Sequence, residues 1–199
     1  MRPRLAHAAA ALLAAAALAG SAALAVGQTG SSGPQISRST DAVAGRTVVA
    51  WAGPFARFQA DRARPSDCAR GQRGLVFFIP GATGTNQRTD CTVPAGQQIL
   101  VSPAWFICRV PQRGFCTDTA RINDVRRVRV TIDGAPVTVR QFDWVSQSIP
   151  IEGRPAAVAG YVYIIGGLTP GDHTIATSAT TRLGRATLLR RMTASVTVQ

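Results

Sequence analysis

Val128, Val130 and Ile132 alternate with Arg127, Arg129 and Thr131, and Asp133-Gly134 separates this run from a second one, Pro136-Val137-Thr138-Val139-Arg140-Gln141-Phe142. Period-two alternation sends apolar side chains to one face and arginines to the other. An Asp-Gly pair between two such runs is a hairpin turn, because both of its central positions need positive φ. A chain built this way must bury one face of a sheet. Further strands are expected at Thr47 to Trp51, at Gly74 to Ile79 before Pro80-Gly81, and at Gln97 to Val101 after Pro94-Ala95-Gly96. Three more are expected at Tyr161 to Ile165, His173 to Ser178 and Met192 to Val198. Helix is scarce. Pro54 to Arg64 reads as one short helix, with Pro in the first turn and Phe55 and Phe58 on one face. Thr117 to Asp124 reads as another, capped by Thr117 or Asp118. Short strands with Gly/Pro turns between them predict a mainly β fold: a single β-sandwich or jelly-roll-like domain with one or two short helices.

The N-terminus bounds that domain. Arg2 and Arg4 precede an apolar run, Ala8 to Ala19, and Ala23-Leu24-Ala25 fits an A-x-A cleavage site. This is the layout of a signal peptide over residues 1–25, and it places the mature protein outside the cytoplasm, secreted, periplasmic or at the cell envelope. The Ala-rich run is shorter than the roughly 20 apolar residues of a membrane span. No cysteine follows the small residues for lipid attachment, and Pro3 splits the arginines, so the twin-arginine signal is absent. No other run is long enough to cross a bilayer. Residues 26–46 are rich in Gly, Ser and Thr and read as a flexible linker. The sandwich is expected over residues 47–199, a length that suits one domain.

The 22 basic residues are all arginine, against 10 acids; without the leader the charge is +10. Such a balance attracts polyanions, and it also follows from the Arg- and Ala-rich composition of a chain without lysine. The arginines are scattered and lack the aromatic interleaving of a single-strand nucleic-acid binder, so no specific nucleic acid is expected.

The four cysteines, Cys68, Cys91, Cys108 and Cys116, read as two disulfides in an exported chain. Three connectivities are possible, of which pairing nearest neighbours, Cys68 with Cys91 and Cys108 with Cys116, is preferred. There is no C-x-x-C pair, and the only histidine past the leader is His173, so no zinc site or other metal is expected.

Four segments stand in order: Gly71-Gln72-Arg73-Gly74-Leu75-Val76-Phe77-Phe78-Ile79-Pro80-Gly81, Cys91-Thr92-Val93-Pro94-Ala95-Gly96-Gln97, Val130-Thr131-Ile132-Asp133-Gly134 and Leu168-Thr169-Pro170-Gly171-Asp172-His173-Thr174-Ile175. Over Trp51 to Gln199 this resembles a family of uncharacterised secreted bacterial proteins. Its members carry a G-P-V-W-F-L-x-G strand, a C-T-V-P-A-G-K turn, a V-D-G hairpin and a late L-x-P-G-x-H-T-I turn. Gln97 stands where the family usually has Lys. The resemblance implies secretion, one β-rich domain and a Cys68–Cys91 bridge, and it implies no activity.

Catalytic signatures are thin. His173 would need a Ser or Cys and an orienting acid such as Asp172 to act as a base. It lies instead in a Pro-Gly-Asp turn, where hydrogen bonding to the turn is expected, and no G-x-S-x-G is present. Glu152 is the only glutamate, and glycoside hydrolysis needs two carboxyls. Asp61, Asp67, Asp90, Asp118 and Asp124 lack calcium-loop spacing. Trp51, Trp105, Trp144, Tyr161 and Tyr163 are candidates for a carbohydrate platform, weighed against core packing. The expectation is a binding module without cofactor, whose partner is an anionic cell-wall polymer or glycan. Arg127, Arg129, Arg140, Trp105 and Trp144 are its candidate ligand surface. A secreted hydrolase with an unrecognised site, or a structural or assembly module, are the alternatives.

Overall fold

In chain order the strands are β1 (Gln35–Ser37), β2 (Ala42–Val43), β3 (Arg46–Thr47), β4 (Gln72–Arg73), β5 (Val76–Phe78), β6 (Gln87–Val93), β7 (Gln98–Arg109), β8 (Val125–Ile132), β9 (Ala135–Pro136), β10 (Trp144–Ile151), β11 (Arg154–Gly166), β12 (Gly171–Leu183) and β13 (Ala186–Val198). Among the described residues one α-helix, α1, spans Ala52–Ala60. This computed structural model describes residues 33–37, 40–60, 68, 72–82, 84–109, 125–137, 144–151, 153–183 and 185–199. The predicted helix at Thr117 to Asp124 lies outside them.

The strands form two main sheets. The first runs β1-β11-β7-β5-β4, with β10 also on β11. The second runs β6-β13-β12-β8-β9, and β2 and β3 make a small ribbon. Between the main sheets lies a core to which the first contributes Phe77, Ile99, Val101 and Tyr163 and the second Val130, Ile132, Ile175, Met192 and Val196. The fold is the mainly β, sandwich-like domain that the alternation predicts.

The first sheet is buried on its other face as well. Val76, Phe78, Leu100, Trp105, Val158 and Ile164 pack there against Trp51, Phe55 and Phe58 from α1 and the turn before it. Strand β11 is therefore buried without interruption from Ala156 to Ile165, and its sequence is a continuous apolar run, as expected of a strand covered on both faces. Gly160 lies opposite Trp105 in this ladder. A Cβ there would come within 2.6 Å of the indole and 2.3 Å of the Ala104 carbonyl, so the close fit of ring on backbone requires glycine. Strand β7 bulges at Ser102 and Pro103, between the pairs Tyr161–Ala104 and Tyr163–Val101. Pro103 has no N–H to give, and the Ser102 hydroxyl donates to the Tyr161 carbonyl at 2.6 Å.

Two sequence expectations are corrected here. Thr47 to Trp51 is not one strand: Thr47 ends β3, and Val49–Trp51 is a 3-10 turn leading into α1. Val48 and Trp51 are both buried, and the tight turn puts residues three apart on one side. The Trp51 indole N–H is fixed by the Val43 carbonyl at 2.9 Å. The sheet also begins inside the region read as linker, because Gln35–Ser37 pairs with Ile164–Gly166. Ile36 packs against the core, which a Gly/Ser-rich composition conceals.

Cys68 and Cys91 form a disulfide, with Cα atoms 5.3 Å apart. Cys91 sits on the inner side of β6, and both cysteines are buried in the inter-sheet core. A bond between Cys108 and Cys116 falls outside the described residues.

Candidate anion-binding hollow

The hairpin turn is built as its residues dictate. Asp133 and Gly134 have φ of 53° and 78°, and Ile132 pairs with Ala135. Its other strand is described only for Ala135–Pro136; Arg140 lies outside the described residues. The main neighbour of β8 is β12, in antiparallel register with Arg129 opposite Ser178 and Arg126 opposite Thr180. Between those pairs, Arg127 and Val128 face the single residue Ala179, which makes a β-bulge. The extra residue changes which face each side chain takes, so Val125 and Val130 are both buried although five apart.

Arg127 takes the strain of that bulge. Its φ is 54°, in the left-handed region, which is uncommon for any residue with a Cβ and costs about 1–2 kcal/mol. The conformation keeps Arg127 on the outer face beside Arg129. Across Ser178, Arg191 of β13 completes the row. Arg127, Arg129 and Arg191, with Ser178, Thr180, Thr187 and Leu189, line an open hollow of about 380 Å³ on the outer face of the second sheet. Among the described residues lining it there is no carboxylate. Guanidinium groups there and the three neighbouring hydroxyls present mostly donors, and guanidiniums grip phosphate or carboxylate in pairs of hydrogen bonds.

Two of the five candidate surface residues, Arg127 and Arg129, are thus brought together. Local periodicity does not point to Arg191, Ser178 and Thr180, since they lie on the fourth and fifth strands after β8 and strand partnership at that distance is not written in it. Trp105 is corrected: it is 5 % exposed, and its ring meets Phe55 edge-on at 5.3 Å. Trp51, Tyr161 and Tyr163 are buried too, and burial pushes the Tyr161 phenol up. These four aromatics fill the cores and offer no carbohydrate platform. Trp144 opens β10 opposite Tyr161; its side chain is outside the described part.

His173 binds the turn as expected. Its Nδ1 donates to Asp133 Oδ2 at 2.8 Å and its Nε2 to the Thr169 carbonyl at 2.8 Å. Asp133 Oδ1 accepts from the Thr174 backbone N–H at 2.7 Å. The clamp ties the β8–β9 turn to the start of β12. With both ring nitrogens donating, the imidazolium is favoured: the Asp133 carboxylate and the Thr169 carbonyl raise the His173 pKa above its ordinary 6.5. Asp133 is held below its ordinary 3.8 by the His173 hydrogen bond and the Thr174 N–H. A raised histidine contributes stability that is complete below about pH 6.5 and fades as pH rises through the folded value. The lowered aspartate contributes above about pH 3.8, and that part fades as pH falls through its own folded value. Thermal midpoints of wild type and His173→Gln should therefore differ most in mildly acidic solution and converge as pH rises above neutral. A constant difference across that range would dismiss the charged clamp.

Among the described residues, no group of three or more His, Cys, Asp and Glu side chains gathers as a metal site would. No protein-family model matches the chain, and no curated protein does. Several solved structures align over part of it, among them the following three. PbICP-C in complex with falcipain-2 is 11% identical, with a TM-score of 0.34 over 63% of this chain and 100% of the other. Amebosin is 17% identical, at 0.26 over 64% and 100%. The cysteine protease inhibitor EhICP2 from Entamoeba histolytica is 11% identical, at 0.31 over 62% and 96%. Similarity at that level supports no conclusion about this chain.

Proposed function

We propose that this is an exported, non-catalytic binding protein whose outer sheet face holds phosphate or carboxylate groups of an anionic envelope polymer. The observation that carries this reading is the convergence of Arg127, Arg129 and Arg191 in one hollow without a lining carboxylate among the described residues. Like charges held together favour an anion laid over them. The left-handed Arg127 adds support, because backbone strain in a fold concentrates at sites of use. The signal-peptide layout of residues 1–25 supports export. Binding rather than hydrolysis is favoured because both ring nitrogens of His173 are engaged in a structural clamp, to Asp133 and to the Thr169 carbonyl, and His173 does not line the hollow.

The test is retention on phosphocellulose and on carboxymethyl cellulose as salt is raised. Wild type should elute at clearly higher salt than Arg127→Ser with Arg129→Ser, with affinity falling about tenfold or more for the loss of charged hydrogen bonds. Arg191→Ser should fall in the same direction. Equal elution of all three would reduce the hollow to a solvated strand face. Arg127→Gly separates strain from binding: it should hold stability within about 1 kcal/mol of wild type or improve it, because glycine accepts this φ freely, while retention weakens. A urea midpoint for this variant far below wild type would show that Arg127 is needed for folding rather than for binding.

A further inference from the structure

The two longest neighbours in the second sheet outrun the strands beside them. Strands β12 and β13 stay paired out to Leu183 and Ala186. On one side β8 accompanies β12 only as far as Thr181, opposite Val125. On the other, β6 accompanies β13 only from Met192, opposite Gln87. Beyond both neighbours extend only Arg182 and Leu183 of β12, paired with Thr187 and Ala186 of β13, a ribbon end about 7 Å long at the usual rise per residue. At its base stand two adjacent leucines, Leu188 and Leu189, 40% and 38% exposed. Successive strand residues face opposite ways, so both faces of the ribbon carry an apolar side chain into solvent. Arginines surround them at Arg182, Arg185 and Arg191. No acid occurs anywhere from His173 to Gln199.

We infer that this ribbon end is a docking surface for an anionic lipid bilayer. The pairing of chemistries decides the partner. A soluble polyanion would engage the arginines and leave both leucines in water, and a neutral surface would offer Arg185 and Arg191 no anion. A bilayer of anionic lipid meets both at once, with phosphates at the level of the guanidiniums and an apolar phase just below for the leucines. Contact is peripheral: among the described residues no helix is long and apolar enough to cross a membrane. The inference stands apart from the glycan reading, since Leu188 and Arg185 are not part of the hollow, although Leu189 and Arg191 belong to both.

The experiment is co-sedimentation of the full chain with vesicles of phosphatidylcholine alone and of phosphatidylcholine mixed with phosphatidylglycerol, at low and high salt. Wild type should pellet with the mixed vesicles at low salt. Leu188→Thr, at a position that does not line the hollow, keeps a strand-forming residue and all charges; it should lose affinity about tenfold while its elution from phosphocellulose stays at the wild-type salt. Soluble polyphosphate should displace the threonine variant from the vesicles at lower concentration than wild type. Equal pelleting of wild type and the threonine variant, or displacement of both at one polyphosphate concentration, would overturn the inference and assign the attraction to charge alone. No pelleting of wild type would overturn it as well, and would leave retention on phosphocellulose as the separate measure of the hollow.

Discussion

Replacing Phe55 by alanine is expected to lower the unfolding free energy by roughly 3–5 kcal/mol, the range for truncating a buried aromatic. The reason is its place at the centre of a five-ring cluster. Its ring meets Phe78 edge-on at 5.8 Å, Trp105 edge-on at 5.3 Å and Phe58 at 6.2 Å. Phe78 in turn meets Trp51 at 6.1 Å. Edge-to-face geometry adds about 0.5–1.5 kcal/mol per pair beyond burial, so one truncation removes several favourable contacts and opens a void between helix and sheet. Urea unfolding followed by tryptophan fluorescence measures the loss, because two of the chain's three tryptophans flank the void. A change below about 1 kcal/mol would mean that α1 lies loosely on the sheet, contrary to its fully buried Phe55.

The second large effect belongs to the disulfide. Cys68→Ala with Cys91→Ala should destabilise the fold by about 3 kcal/mol, the chain-entropy value for a loop of this size. The separation of 23 residues sets that figure. Its location adds to the consequence, for among the described residues β6 is an edge strand whose neighbour in the sheet is β13, and Cys91 anchors its inner side. The double variant and the reduced wild type should have similar urea midpoints, both well below the oxidised protein. If the double variant matched the oxidised protein, the bridge would be an ornament on an already determined strand.

What the sequence conveyed follows from the reach of each signal. Alternation and turn chemistry are local, and they placed β8, the Asp133-Gly134 turn and the cores of β5, β7, β12 and β13. The arginine face of β8 was legible for the same reason. The extent of β11 was not: Pro155 and the small residues Ala156, Ala157, Ala159 and Gly160 have no period, and their burial comes from two layers that local pattern cannot see. The helix over the first sheet was read from Phe55 and Phe58, yet its role as a third layer depends on a hydrophobic face of the sheet that only the continuous burial of β11 reveals. The hollow was half legible. Arg191 reaches it through strand order, and the strain at Arg127 arises from a bulge that breaks the alternation used to find the strand.

The pairing of β6 with β13 bears on how fast the chain can reach its fold. These parallel partners join residue 87 to residue 192, with strands β7 to β12 between them. Chain segments so distant find one another slowly, since loop closure must precede any gain from pairing. Until β13 arrives, β6 has no strand beside it among the described residues, and its edge offers open N–H and C=O groups to any passing strand. Oxidation of Cys68 with Cys91 requires only a short loop, so it can be complete long before that encounter. The bridge then acts as a tether in time as well as in energy, holding a strand in place for a partner that is the last to come.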